Sequence, residues 1–169
     1  MIIALTGTPG VGKTYIAKKV SKKLGWKHVE MGKIIQRKKL YSSYDRKMKS
    51  YVVDMKKFKA YFKNFEVDVV LDSHMSHELP KSLIDKVIVL RCEPKVLEKR
   101  LKLRKYSKEK IKQNFESELI GLISWEARRK HKNVVDVDCT KGKEKSVKKV
   151  ISIIKGKTKK ADQVDWCAK

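Results

Sequence analysis

"MIIALTGTPGVGKT", Met1 to Thr14, decides how the rest of the chain is read. The opening apolar run has the character of a buried parallel strand. The following GTPGVGKT, Gly7 to Thr14, satisfies the pattern GxxxxGK[ST]. Its glycines allow backbone conformations that turn successive N–H groups toward phosphate oxygens. A helix beginning near Lys13 adds the positive end of its dipole. Lys13 suits the β- and γ-phosphates, and the Thr14 hydroxyl suits Mg²⁺. Gly10, Gly12 and Tyr15 lie in the same wrap of backbone amides. A chance glycine-rich turn would not need a strand before it and a helix after it, so the reading is a nucleoside triphosphate site.

Working outward, Ile16, Val20 and Leu24 recur at helical spacing and Gly25 stops that helix. WKHVEM is a candidate short strand. Residues 31–63 read as irregular helix, strongly basic, with SYVVD in the middle. VDVVLD and DKVIVLRC are two more buried-strand runs. Pro94 fits the first turn of a helix carrying Val96, Leu97 and Leu101. Ser107 is placed to cap one long helix holding Ile111, Phe115, Leu119 and Leu122. NVVDVDC is a final strand, followed by a helix on Val147, Val150, Ile151 and Ile154. The alternation predicts an α/β fold, a parallel sheet flanked by helices, over residues 1–155. A basic tail, 156–169, is expected to be polar and mobile, apart from Trp166 packing on the core.

Composition sets the bounds. A chain of 169 residues with 41% apolar content and three prolines suits one globular domain rather than disorder. No apolar run approaches the length of a membrane span, and no signal-peptide pattern opens the chain. Cys92, Cys139 and Cys167 are odd in number and far apart, so free thiols in a reducing, cytoplasmic setting are expected. The formal charge of +24 draws polyanions such as rRNA, or else marks a lysine-coated surface adapted to heat.

The stretch VDVVLDSHMSHELP, Val67 to Pro80, places Asp72, His74 and His77 together. Asp and His serve as metal ligands and as acid/base groups. A transition metal would want further ligands, and no cysteine or other histidine is near in sequence. In P-loop folds a strand-end acid holds Mg²⁺ directly or through water, which gives Asp72 its role. His74 then orients water or exchanges a proton near the γ-phosphate. His77 reads as a loop or capping residue, and His28 and His131 as packed or surface residues. Among the few arginines, Arg91 ends a strand, and Arg100 and Arg104 share a helix face. Arg104 opens the charged segment RKYSKEK and is the better candidate for phosphate contact.

LTGTPGVGKT, LYSSYD, VVLDSHMSH, VIVLRCEP and RLKLRKYSKEKIKQNFESEL together resemble the adenylate kinase isoenzyme six family, from Met1 to about Ile154. The resemblance implies an adenylate-kinase-like core, a monophosphate-binding arm over about Glu30 to Val53 and a short lid over about Leu103 to Gln113. It implies ATP contacts from Gly10, Gly12, Lys13, Thr14, Tyr15 and Arg104, and an Asp–x–His pair, Asp72 and His74, for hydrolysis. It further implies a broad nucleoside monophosphate (adenylate) kinase with ATPase activity, using Mg²⁺ with ATP. Its partners would be AMP-like acceptors and the small ribosomal subunit, whose eleventh protein it binds transiently during late maturation and 16S rRNA processing. Relatives can carry GD at the start of the arm and an arginine soon after. Here Gly32–Lys33 and Gln36 stand, with Arg37 displaced by one. Two other expectations share the P-loop: an ATP-gated assembly chaperone with incidental kinase activity, and a small-molecule kinase of the shikimate or dephospho-coenzyme A type.

Overall fold

The computed structural model describes residues 1–65, 68–158, 161–162 and 164–168. Five strands form a parallel sheet: β1 (Ile2–Thr6), β2 (Lys27–Glu30), β5 (Val69–Asp72), β6 (Lys86–Arg91) and β7 (Val134–Asp138), in the spatial order β2-β5-β1-β6-β7. β1 is central, with Leu5 opposite Asp72 and Thr6 opposite Val89. That register sets the loop after β1 beside the ends of β5 and β6. Val67, part of the expected third strand, lies outside the described residues.

Both faces of the sheet are buried, which is why these strands read as continuous apolar runs rather than alternating ones. On one face Ile3, Leu5, Val70 and Ile88 pack against α1 (Lys13–Leu24), α4 (Pro94–Leu103) and α7 (Lys143–Ile154) through Ile16, Val20, Leu97, Leu101, Val147 and Val150. On the other, Ala4, Leu71, Val87 and Val89 pack with Met31, Phe58, Phe62 and Leu79. Local signals behave as expected at three helix ends. Gly25 takes a left-handed conformation (φ 71°) after α1, Pro94 opens α4, and the Ser107 hydroxyl accepts from the Lys110 N–H at the start of α5 (Lys108–Leu119).

Two segments differ from the sequence reading. Residues 31–63 are not one irregular helix. A short α2 (Met31–Arg37) leads into an antiparallel hairpin, β3 (Tyr41–Asp45) and β4 (Ser50–Val53), and then α3 (Met55–Tyr61). YSSYD and SYVV carry β-favouring residues, and the Asp45 carboxylate closes the turn by accepting from the Met48 N–H at 2.8 Å. Nor does one long helix run through Leu122. Gly121 at φ 67° breaks it, and α6 (Leu122–Lys130) starts a new direction. A side chain at 121 would meet the Arg91 guanidinium at about 3.1 Å. The described part of the tail is tied down as well: the Asp162 N–H donates to the Asp136 carbonyl at 3.0 Å, and Trp166 is buried.

Among the described residues no helix is long and apolar enough to cross a membrane.

Candidate nucleotide site

The loop between β1 and α1 is shaped by two demands on its backbone. At Gly7 (φ 135°) a Cβ would stand 2.3 Å from the Leu90 carbonyl oxygen, so only glycine lets the loop lie against β6. At Gly12 (φ 109°) the space around a Cβ is open, and the left-handed backbone itself selects glycine. No side chain caps α1 behind Gly12. The first N–H groups of a twelve-residue helix therefore face the cleft, a ready setting for an anion.

That cleft, about 470 Å³, is lined by Gly10, Gly12, Lys13, Thr14, Tyr15, His74, Arg100, Leu103, Arg104 and Lys143, among others. The expected ATP-binding residues Gly10, Gly12, Lys13, Thr14, Tyr15 and Arg104 are thus all on its wall. Lys13 Nζ donates to the Gly7 and Thr8 carbonyls at 2.7 and 3.1 Å. Burial pulls its pKa down to about 8, helped by Arg104 and opposed by Asp72 and Glu118. Tyr15 bonds Glu144 through its hydroxyl, with Lys19 and Lys143 over its ring.

Asp72 ends β5 almost fully buried. Its Oδ2 faces His28 Nε2 at 3.5 Å, and both atoms lack a hydrogen-bond partner among the described residues. Asp72 is not among the residues lining the phosphate-loop cleft, but its charge acts on Lys13 there. A carboxylate is the donor type that Mg²⁺ or its water takes.

His74 lies two residues past the strand and lines two cavities at once. The second, about 660 Å³, is walled by Gly32, Ile35, Gln36, Tyr41, Tyr44, Lys49, Ser50, Tyr51 and Val53. The His74 side chain is exposed to both clefts. Desolvation first, then Lys13, His77 and Lys110, pull its pKa to about 4 against the opposing pull of Asp72. Cleft water softens the desolvation, but the cationic neighbours act in the same direction: the imidazole is neutral at pH 7. In the second cavity Tyr51 packs against Tyr41 (centroids 4.3 Å) and Tyr44 (5.1 Å). Gln36 is on the wall, and Arg37, about 100° further round α2, is exposed and absent from it.

The three arginines have different surroundings. Arg104 reaches the cleft. Arg100 lines it too, yet its guanidinium is spent on the Val11, Cys139 and Thr140 carbonyls at 3.2–3.4 Å. Arg91 is buried away from the cleft, where its Nε donates to Glu118 at 2.7 Å.

Glu118 itself was not singled out from the sequence. Its carboxylate accepts from the Thr8 hydroxyl (2.5 Å), Arg91, the Cys92 N–H (3.0 Å) and the Trp166 indole (3.3 Å). It thereby holds the second residue of the phosphate loop. One sequence signal was available: a glutamate on the α5 face shared with Ile111 and Phe115. His77 is likewise not a surface loop residue but buried, with Nδ1 3.0 Å from the Thr6 hydroxyl. The buried His131 bonds its carbonyl at 2.9 Å.

Comparison with known proteins agrees with this geometry. Residues 3–121 match the AAA domain family. A protein of Pyrococcus abyssi named "Putative adenylate kinase" is 42% identical over 98% of this chain and 91% of its own length. One of the same name from Methanocaldococcus jannaschii is 36% identical over 100% and 94%. Crystal structures of shikimate kinase from Bacteroides thetaiotaomicron and Aquifex aeolicus superpose with TM-scores of 0.62 and 0.61 over 92% and 93% of this chain and 98% of theirs. At 17% and 18% identity they share its fold. With an α/β P-loop NTPase fold and relatives this similar over nearly their whole length, the chain belongs to the adenylate-kinase-like family of these archaeal proteins.

Proposed function

We propose that the protein is a nucleoside monophosphate kinase that transfers the γ-phosphoryl group of ATP to AMP-like acceptors and hydrolyses ATP more slowly. One observation carries the reading: His74 stands on the wall common to the phosphate-loop cleft and the tyrosine-lined cavity. Transfer between two bound nucleotides needs two cavities meeting at the reacting phosphate, whereas hydrolysis needs only the first. Lys13 and the loop amides bind the β- and γ-phosphates, with Gly10, Gly12 and Tyr15 shaping the wrap. Arg104 neutralises charge that spreads over the transferring group. The neutral His74 imidazole accepts a proton from attacking water, a service that an already anionic acceptor phosphate does not require. Asp72 and Thr14 would hold Mg²⁺, which supplies charge neutralisation across the phosphates when bound.

In this reading the hairpin β3–β4 with α2, within about residues 30–53, is the monophosphate arm, and about 103–113 is the lid. The two touch: Lys110 Nζ donates to the Met48 carbonyl at 2.7 Å and Lys47 pairs with Glu109 at 2.9 Å. The tyrosine cluster offers faces for a nucleobase, which favours a nucleotide acceptor over shikimate.

The partner is the small ribosomal subunit during its late maturation in the cytoplasm, through the eleventh protein and neighbouring rRNA, as in the isoenzyme six family. Support comes from the arm, where Lys33, Arg37, Lys38, Lys39, Arg46, Lys47 and Lys49 are all exposed, more charge than one monophosphate needs.

The test incubates protein and Mg²⁺–ATP with AMP, GMP, CMP, UMP, shikimate or no acceptor and separates the products. AMP-dependent ADP is expected. Phosphate release alone would overturn the kinase reading, and phosphorylated shikimate the nucleotide acceptor. Co-sedimentation with small subunits across a salt series, with ATP or ADP, tests the partner. Affinity should fall steeply with salt and change with nucleotide.

A further inference from the structure

The 3₁₀ turn Ser76–Glu78 packs against α6 and the central strand β1, and none of its residues lines the nucleotide cleft. There His77, Glu78 and Glu126 bring one ligand atom each to within 4.8 Å of one another, the one such group of His, Cys, Asp or Glu among the described residues. The hydrogen-bond bookkeeping around His77 is unusual. The Thr6 hydroxyl has a single proton, and the His74 carbonyl, at 3.2 Å, can only accept it. Given to Nδ1, at 3.0 Å, it would leave the ring proton on Nε2; given to the carbonyl, it lets the hydroxyl oxygen accept from Nδ1–H. In the second case Nε2 is left with a lone pair, aimed at a Glu126 oxygen 3.3 Å away and a Glu78 oxygen 3.4 Å away. In that tautomer three acceptors converge, and the Lys130 ammonium pairs with the same Glu78 oxygen.

A proton on Nε2 would satisfy the geometry as well, in a neutral or a charged ring. A metal ion satisfies it differently. Ligand bonds of about 2.0–2.1 Å in a tetrahedron give ligand–ligand edges of about 3.3–3.4 Å. The two Nε2–oxygen distances have that length. The hydroxyl on Nδ1 is the outer partner that orients a ligating imidazole. We propose that His77 Nε2, Glu78 and Glu126 form a site for one divalent transition-metal ion of the Zn²⁺ class, with solvent completing the shell. Glu78 and Glu126 are partly exposed, 20% and 35%, which provides access. Lys130, 42% exposed, pairs with Glu78 and occupies its oxygen until it swings out. Occupancy would staple the turn after β5, whose His74 carbonyl Thr6 also holds, to α6. The site is separate from the Mg²⁺ position assigned to Asp72 and Thr14.

The test uses the full chain, stripped with a chelator and titrated with Co²⁺ and then Zn²⁺ in excess Mg²⁺. One equivalent of Co²⁺ with a tetrahedral visible spectrum and no near-ultraviolet thiolate band is expected, displaced by Zn²⁺. Glu126→Gln and Glu78→Gln, at partly exposed positions that leave the core intact, should each weaken binding at least about tenfold. His77→Asn should do the same. Asp72→Asn should leave it unchanged, and Lys130→Met should strengthen it by removing the competing ammonium. No uptake in excess Mg²⁺ would overturn the site. So would affinity indifferent to Glu126→Gln, a thiolate band, or unchanged affinity in Lys130→Met. Ring ¹⁵N NMR showing a doubly protonated His77 that metal does not alter would assign the position to the imidazolium instead.

Discussion

The two cavities that meet at His74 are built to different standards. The phosphate-loop side rests on the central strand and is fixed from below by Glu118, which is 1% exposed. That carboxylate accepts hydrogen bonds from Thr8, from the adjacent Arg91 and Cys92, and from Trp166. The tyrosine-lined side rests on a two-stranded hairpin whose Tyr44, Tyr51 and Val52 are exposed. An isolated hairpin is marginal in water, and this one gains its order from α2, α3 and the contacts at its tip with α5. The donor side is therefore formed in advance, while the acceptor side is free to move. Damage to the first should be global and damage to the second selective.

The largest effect expected is at Lys13. Lys13→Ala should cut transfer and hydrolysis alike, by about 10²- to 10³-fold or more, as loss of a charge aimed at the transition state does elsewhere. The fold should survive, checked by thermal unfolding beside steady-state rates. Selective loss of only one activity would break the picture of a shared donor side.

Glu118→Ala should follow. It leaves Arg91 charged and buried without its partner, at a cost of about 3–5 kcal/mol in chemical denaturation. Glu118→Gln should cost less and raise KM for ATP more than KM for AMP. An unchanged stability in the alanine variant would mean that the donor side is not anchored there.

His74→Ala separates the chemistries, with hydrolysis falling by roughly 10²-fold and AMP-dependent transfer falling less. Equal losses would make His74 a wall residue for both cavities and nothing more.

Titration sharpens the donor side further. Lys13 is an ammonium below about pH 8 in the free protein and neutral above it. Phosphates select the ammonium, so ATP binding above pH 8 requires proton uptake and should weaken by up to about tenfold per pH unit. Calorimetry in buffers of different ionisation enthalpy reads that proton. AMP affinity should be flat over the same range. The smallest effect is expected from Tyr51→Ala, a several-fold rise in KM for AMP with KM for ATP and stability nearly unchanged. A matching loss for ATP would dissolve the contrast between the two sides.

The sequence was legible where its signals are local. The phosphate loop, the parallel strands, the Pro94 and Ser107 helix starts and the strand-end pair Asp72–His74 depend on neighbours within a few residues, and all stand where they were expected. The hairpin was hidden because YSSYD and SYVV are short, and the lysines and arginines between them suit a helix surface as well as a turn. Glu118 was hidden for another reason. It lies 110 residues from Thr8 and 27 from Arg91, and periodicity carries no information about pairs so distant. Arg91 could be read from the sequence only as the end of a strand, because its partner Glu118 lies 27 residues away. Only burial shows that its charge is already matched. His74 lines the phosphate-loop cleft, but it also lines the cavity beside the hairpin, and that needed the tertiary structure.

The Glu118 network also orders events in time. Translation runs from the N-terminal to the C-terminal side, so GTPGVGKT emerges before α5. The acid that fixes Thr8 follows some 110 residues later, and the indole that joins it later still. A partly made chain carries the phosphate-binding residues without the clamp that shapes them. Thr8 gains this anchor only once α5 has been synthesised and docked.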